Sequence, residues 1–139
     1  MNNCQELIEL IQLEQLDGHT FIGQNYQAPW KRVFGGQVLA QSLSAAAQTV
    51  EPNRMVHSLH SYFLLTGDIS IPIRFEVERV RDGGSFATRR VVAKQNEEVI
   101  FILSASFQKE QPSFSHQIPM PNVLPPEQLR SDHEFIEAY

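Results

Sequence analysis

The chain has 139 residues, 42% of them apolar and 19% charged, the balance of one globular domain long enough to bury a core. A formal net charge of −5 excludes a polyanion binder working through global charge, and a single cysteine, Cys4, excludes an intramolecular disulfide and a zinc knuckle. No apolar run approaches the roughly eighteen residues of a membrane span, and residues 1–6 lack the basic and apolar regions of a secretory signal. The sequence therefore predicts a soluble cytoplasmic protein with neither a nucleic acid nor a membrane as partner.

Residues 4–16 place Leu7, Ile8, Leu10, Ile11 and Leu13 at helical spacing with Glu6, Glu9 and Glu14 between them, which predicts a short amphipathic helix ended by Asp17-Gly18. Residues 19–26 read as a short strand interrupted by Gly23. A loop at 27–34 carries Pro29, Trp30, Lys31 and Arg32 and runs into Gly35-Gly36-Gln37. From there to Thr49 the chain has no proline and no charge, and Val38, Leu39, Ser42, Ala45, Ala46 and Thr49 recur at helical spacing. A surface helix carries charges on its outer face, so this one is predicted to be buried on most sides.

After Glu51-Pro52-Asn53 the pattern changes to four strands, at 55–65, 73–81, 86–95 and 99–108. Asp82-Gly83-Gly84 reads as a hairpin turn through glycines at positive φ, and 96–98 as a second turn. In the last strand Val99, Phe101, Leu103, Ala105 and Phe107 share one face. One uncharged helix followed by a meander of strands is accommodated by a curved antiparallel sheet wrapped around a central helix, an α+β fold.

From Glu110 onward the chain holds five acids against one base, Arg130, and five of its eight prolines. This segment is expected to be an extended connector. Ser131 with Glu134 three residues on forms a capping box that opens another helix. The expected division is a folded unit at 1–109, then a linker and the start of a following, absent unit at 110–139, as in a fragment.

The run Val33-Phe34-Gly35-Gly36-Gln37-Val38-Leu39-Ala40-Gln41, the strand Val56-His57-Ser58-Leu59-His60-Ser61-Tyr62-Phe63-Leu64, the pair Gly67-Asp68, the hairpin Arg81-Asp82-Gly83-Gly84-Ser85-Phe86 and the stretch Ala105-Ser106-Phe107-Gln108 occur in this order. Together they resemble the N-terminal half of acyl-CoA thioesterase II. The resemblance implies a hotdog fold, two such units fused in one polypeptide that assembles further, and hydrolysis of medium- or long-chain fatty acyl-CoA without metal or organic cofactor. It also implies a catalytic trio of aspartate, serine or threonine, and glutamine in the C-terminal unit, which this chain does not contain. The implied partners are acyl-CoA, that C-terminal unit and further copies in a homo-oligomer.

Thioester hydrolysis needs an oriented water, a group to polarise it and donors for the developing oxyanion. Gly35-Gly36 at the start of an uncharged helix offers the donors, and Gly36 N–H is the candidate oxyanion contact; close helix packing explains the same glycines equally well. Related single-unit hotdog thioesterases place a carboxylate about two turns into that helix. Here those turns read Gln41-Ser42-Leu43-Ser44, with no acid between Gly36 and Thr49. A composite site follows, with water activation coming from the other unit.

Gly35, Gly36, Gln37, His57, His60 and Arg89 are the candidate substrate-binding residues. Three positions apart on a strand, His57 and His60 are expected on opposite faces and so not as a joint metal site; structural hydrogen bonding is the simpler role for each, general base the sharper one. Gln108 is either a strand-end polar residue or a relic of the trio's glutamine. Ser42, Ser44 and Ser61 lack the support a nucleophile needs, and Cys4 lies far from every motif. Arg74, Arg79, Arg81, Arg89, Arg90 and Lys94 crowd one stretch, either as solvated strand faces or as a cationic face for the phosphates of coenzyme A. The alternative to an enzyme is a hotdog module that binds acyl-CoA and supports a partner without chemistry of its own. A hydratase on the same fold would use His60 and Asp68.

Overall fold

In the computed structural model residues 4–136 are described. A short helix α1 (Cys4–Ile11) is followed by strands β1 (Glu14–Gln15) and β2 (Thr20–Gly23), the long helix α2 (Gly35–Ala47), and strands β3 (Arg54–Phe63), β4 (Ile73–Asp82), β5 (Phe86–Gln95) and β6 (Glu98–Lys109). The strands form one sheet in the order β1-β2-β4-β5-β6-β3, with every neighbouring pair antiparallel. Helix α2 lies against the inner face of this sheet, as the sequence pattern predicts.

The leading helix is shorter than the expected 4–16. It ends at Ile11, and Glu14 and Gln15 pair instead with Ile22 and Phe21 of β2. The cause is local: Asp17 Oδ1 accepts the backbone N–H groups of both His19 and Thr20 at 2.7 Å, closing a hairpin where helix was expected.

Phe21, Phe75, Phe101 and Phe107 are at most 1% exposed, and Ala45 and Ala46 of α2 meet this aromatic floor with no exposure at all. Burying each such phenylalanine contributes about 1.5–3 kcal/mol, and the small alanines let the helix backbone approach the sheet closely. The β6 alternation holds from Phe101 on: Phe101, Leu103, Ala105 and Phe107 are buried, while Ser104 is exposed and Ile102 and Ser106 are half-buried. Before it Ile100 is buried and Val99 half-buried, the reverse of the expectation, where the register shifts opposite Ala93 and Lys94. Of the helix, only Gly36 and Ala47 are exposed.

The turn chemistry differs from expectation. Gly83 and Gly84 do not adopt positive φ; among the described residues the left-handed ones are Lys31, at φ 54° in the loop before α2, and Asn96 and Glu97, at φ 48° and 65°, in the β5–β6 hairpin. Two consecutive left-handed residues match the strand twist of a tight two-residue turn, which accounts for their position there.

Beyond Lys109 residues 110–125 have no regular element and are exposed. A single 3₁₀ turn (Pro126–Gln128) precedes a short helix α3 (Asp132–Ile136). Its start carries the expected capping box: Ser131 N–H donates to Glu134 Oε2 at 3.0 Å and Glu134 N–H to Ser131 Oγ at 3.4 Å. No helix among the described residues is long and apolar enough to cross a membrane.

Candidate functional site

Helix α2 begins at Gly35 with Phe34 as N-cap and no side-chain cap, so the first N–H groups precede the intrahelical ladder. Gly35 lies under the ring of Phe63 at the end of β3, where a Cβ would sit 2.9 Å from Cε1. Gly36 lies under the ring of Phe34, where a Cβ would sit 2.5 Å from the ring. A cleft of about 270 Å³ opens beside this helix start, walled by Val33, Val38, Phe63, Leu65, Ile100 and Phe101. An apolar slot with backbone donors at its rim suits a chain with a polar head.

The rest of the helix carries no acid. Gln41, where a carboxylate is expected from related single units, is fully buried and donates from Nε2 to the carbonyls of Leu10 at 2.8 Å and Gln24 at 2.9 Å. Asp68, which follows the cleft-lining Gly67, is committed locally. Its Oδ1 accepts Ser70 N–H and Ser70 Oγ–H at 2.8 and 2.7 Å, and these bonds hold its pKa below the usual carboxylate value. A carboxylate so stabilised is a poor proton acceptor.

Two of the sequence candidates have other work. Gln37 is 6% exposed and does not face the cleft rim with its amide: Nε2 donates to Gln24 O, Asn25 Oδ1 and Gln41 Oε1, and Oε1 accepts Tyr26 N–H. The side chain anchors the 24–26 loop to the helix. Arg89 is 1% exposed, so neither the solvated-face reading nor the phosphate reading holds for it. Its guanidinium donates to Thr49 Oγ1, Thr49 O, Arg81 O, Thr88 O and Asp82 Oδ1, which occupies all five N–H donors. Arg89 ties the far end of α2 to the β4–β5 hairpin.

The histidines also depart from expectation. A bulge between Val56 and Ser58 inserts His57 as an extra residue in β3. His57 Nε2 lies 2.8 Å from Ser106 Oγ, and His60 pairs with Ser104. Ser104 and Ser106 share the outward face of β6, so both histidines occupy that one face. The bulge cancels the odd spacing. His57 and Gln108 line a groove of about 530 Å³ with Met55 and the start of the tail. The sheet stands between this groove and Gly36. Among the described residues no group of three or more histidine, cysteine or acidic side chains is placed to hold a metal.

The family model described as acyl-CoA thioesterase N-terminal domain matches residues 26–108, the segment from the loop before α2 to the end of β6. The chain belongs to this family. Acyl-coenzyme A thioesterase 8 of Homo sapiens is 47% identical over 131 residues, covering 94% of this chain and 41% of that protein. Among solved structures, an acyl-CoA thioesterase II from Mycobacterium marinum is 50% identical with a TM-score of 0.76, covering 87% of this chain and 45% of that one. A hot dog fold protein from Alicyclobacillus acidocaldarius, 27% identical, superposes with a TM-score of 0.72 over 90% of this chain and 48% of that one. The fold is a hotdog, as the resemblance implies. The chain spans about half the length of the relatives it matches.

Sequence reasoning missed the two phenylalanines over the glycine pair. Phe34 is contiguous with the motif, but Phe63 reaches Gly35 only through the fold.

Proposed function

We propose that this chain is the N-terminal unit of an acyl-CoA thioesterase, which hydrolyses fatty acyl-CoA to free fatty acid and coenzyme A. The observation that carries this reading is the apolar cleft lined by Gly35 at the uncapped start of α2, with Gly36 the next residue along. The acyl chain takes the cleft, and the thioester carbonyl oxygen accepts from Gly36 N–H. As water adds to the carbonyl carbon, that N–H meets the growing negative charge. Collapse of the tetrahedral species breaks the C–S bond, releasing the thiol of coenzyme A and the fatty acid.

Water activation comes from a second hotdog unit. An acid-free α2 and a committed Asp68 support this division of labour. So does the outer edge of the sheet: among the described residues β3 is unpaired on one side, and Met55, Leu59, Tyr62 and Phe63 are exposed along it. A bare apolar edge invites another strand, either from a unit following residues 110–139 or from a second copy. The exposed stretch 110–125 after the hotdog unit at 1–109 fits a connector. The only cysteine, the exposed Cys4, suits a reducing compartment such as the cytoplasm.

The same absence of an acid favours a second reading, an acyl-CoA-binding module without chemistry. The test follows free thiol release from a long-chain acyl-CoA, with binding measured in parallel and Gly36→Pro as the variant lacking the N–H. The composite site expects binding without turnover by this chain alone, and binding weakened in Gly36→Pro. Turnover by this chain alone would place the water-activating group within it and overturn the division.

A further inference from the structure

Most of the cations of the sheet are paired. Arg54, Arg74, Arg89, Arg90, Lys94 and Lys109 each have a carboxylate within 4 Å, at Glu51, Asp82 or the glutamates of β4 and the β5–β6 turn. The run of bases on β4 and β5 is therefore largely neutralised in place. Arg79, Arg81, Lys31 and Arg32 form no such pair among the described residues. Arg79 and Arg81 stand on the exposed half of β4, away from the cleft.

Arg32 stands at its mouth, and Lys31 precedes it on the same loop. Arg32 is the one charged residue among those lining the cleft. Its backbone is bridged to Asp68, and Val33 N–H donates to Gly67 O at 2.9 Å, so the loop is seated on the wall of the cleft while both basic side chains remain exposed. The electrostatic neighbour of Lys31 is Asp68, whose carboxylate is turned to Ser70. A cation lining the rim of an apolar slot, with a second one next to it in the loop, matches an amphiphile with an anionic end.

We propose that Lys31 and Arg32 bind the phosphate groups of the coenzyme A moiety when the acyl chain occupies the cleft, and that the basic run on β4 and β5 does not. The inference rests on the acyl-CoA reading above and assigns the nucleotide end of that ligand to the 27–34 loop.

The test uses two non-hydrolysable thioether probes with the same acyl chain, one on coenzyme A and one on pantetheine, which lacks the phosphates. Binding of each is measured to the chain, to Lys31→Gln/Arg32→Gln, and to Arg79→Gln/Arg81→Gln, which removes the same charge elsewhere. The expected result is that Lys31→Gln/Arg32→Gln weakens the coenzyme A probe by roughly 10–100-fold and abolishes most of its salt dependence. Its affinity for the pantetheine probe should stay unchanged, and Arg79→Gln/Arg81→Gln should bind both as the parent does. Circular dichroism of each variant checks that the fold is retained. Equal affinity of the parent for both probes would overturn the phosphate site and leave the acyl reading standing, as would loss only in Arg79→Gln/Arg81→Gln. Failure of the parent to bind either probe would overturn both.

Discussion

Arg89 and Thr49 are joined twice across the core: Arg89 Nε donates to Thr49 Oγ1 at 2.8 Å and Arg89 Nη2 to the Thr49 carbonyl at 2.9 Å. Thr49 Oγ1 in turn donates to Ala46 O at 2.8 Å, so one buried guanidinium closes the C-terminal end of α2 onto β5. The opposite end of that helix is the Gly35–Gly36 start. Arg89 thereby sets where the helix lies along the sheet and so where its N-terminus meets the cleft.

Replacing Arg89 strands the buried Thr49 without its donor, while the half-exposed Asp82 turns to water. Arg89→Ala is expected to cost about 1–3 kcal/mol for the buried acceptors left unsatisfied, and Arg89→Lys to recover only part of it, because an ammonium cannot span five acceptors in a planar fork. Urea unfolding of the three proteins measures this; a Lys variant as stable as the parent would show that charge alone suffices.

A Cβ on Gly23 would lie 2.8 Å from Gln41 Nε2 and 2.9 Å from Phe75 Cε2. Gly23 ends β2 where the buried amide of Gln41 crosses it, so the lack of a side chain is a packing requirement. Gly23→Ala is expected to destabilise by about 1–3 kcal/mol. A double-mutant cycle with Gln41→Ala should show positive coupling, since removing the amide relieves one of the two close contacts. Strict additivity would place the strain on Phe75 alone.

Asp17 and Asp68 both hold their turns through accepted hydrogen bonds, led by the backbone N–H of His19 and of Ser70 respectively, and both pKa values are lowered. A carboxylate depressed in the folded state stabilises above its unfolded pKa, and that contribution is lost as pH falls through the folded value. Stability should therefore decline on acidification below the ordinary carboxylate range. Asp17→Asn, which keeps an acceptor oxygen but cannot titrate, should flatten that acid limb; denaturant midpoints from pH 6 down to about pH 2 report it. An unchanged slope would assign the acid sensitivity elsewhere.

The bare β3 edge leads to a prediction about assembly. The chain on its own is expected to self-associate through β3, and Met55→Lys/Leu59→Lys to reduce it to a monomer without loss of fold. Light scattering across a concentration series decides; a monodisperse monomer for the parent at high concentration would count against the edge as an interface.

Much of the local pattern was legible in the sequence, the glycine turn at Gly83-Gly84 excepted. Strand spacing, the uncharged helix, the buried face of β6 and the capping box at Ser131 all rest on periods of 2 or 3.6 and on contacts a few residues apart, and these patterns survive in any tertiary context. The glycine pair at a helix start was equally visible, since its meaning depends on adjacent residues. The first helix failed at Leu13, because the apolar spacing there also serves a strand once Asp17 caps a hairpin.

Only the tertiary structure separated the candidates. A buried arginine and a buried glutamine look polar in sequence, and their partners at Thr49, Asp82, Gln24 and Asn25 are brought to them by long-range pairing. Whether His57 and His60 share a face depended on one bulge, because an inserted residue inverts every side chain on one side of it. The sequence by itself determined the elements and the helix start of the site. Which charges were already neutralised, and that Arg32 lined the cleft, was decided by strand register and by burial, which no local pattern encodes.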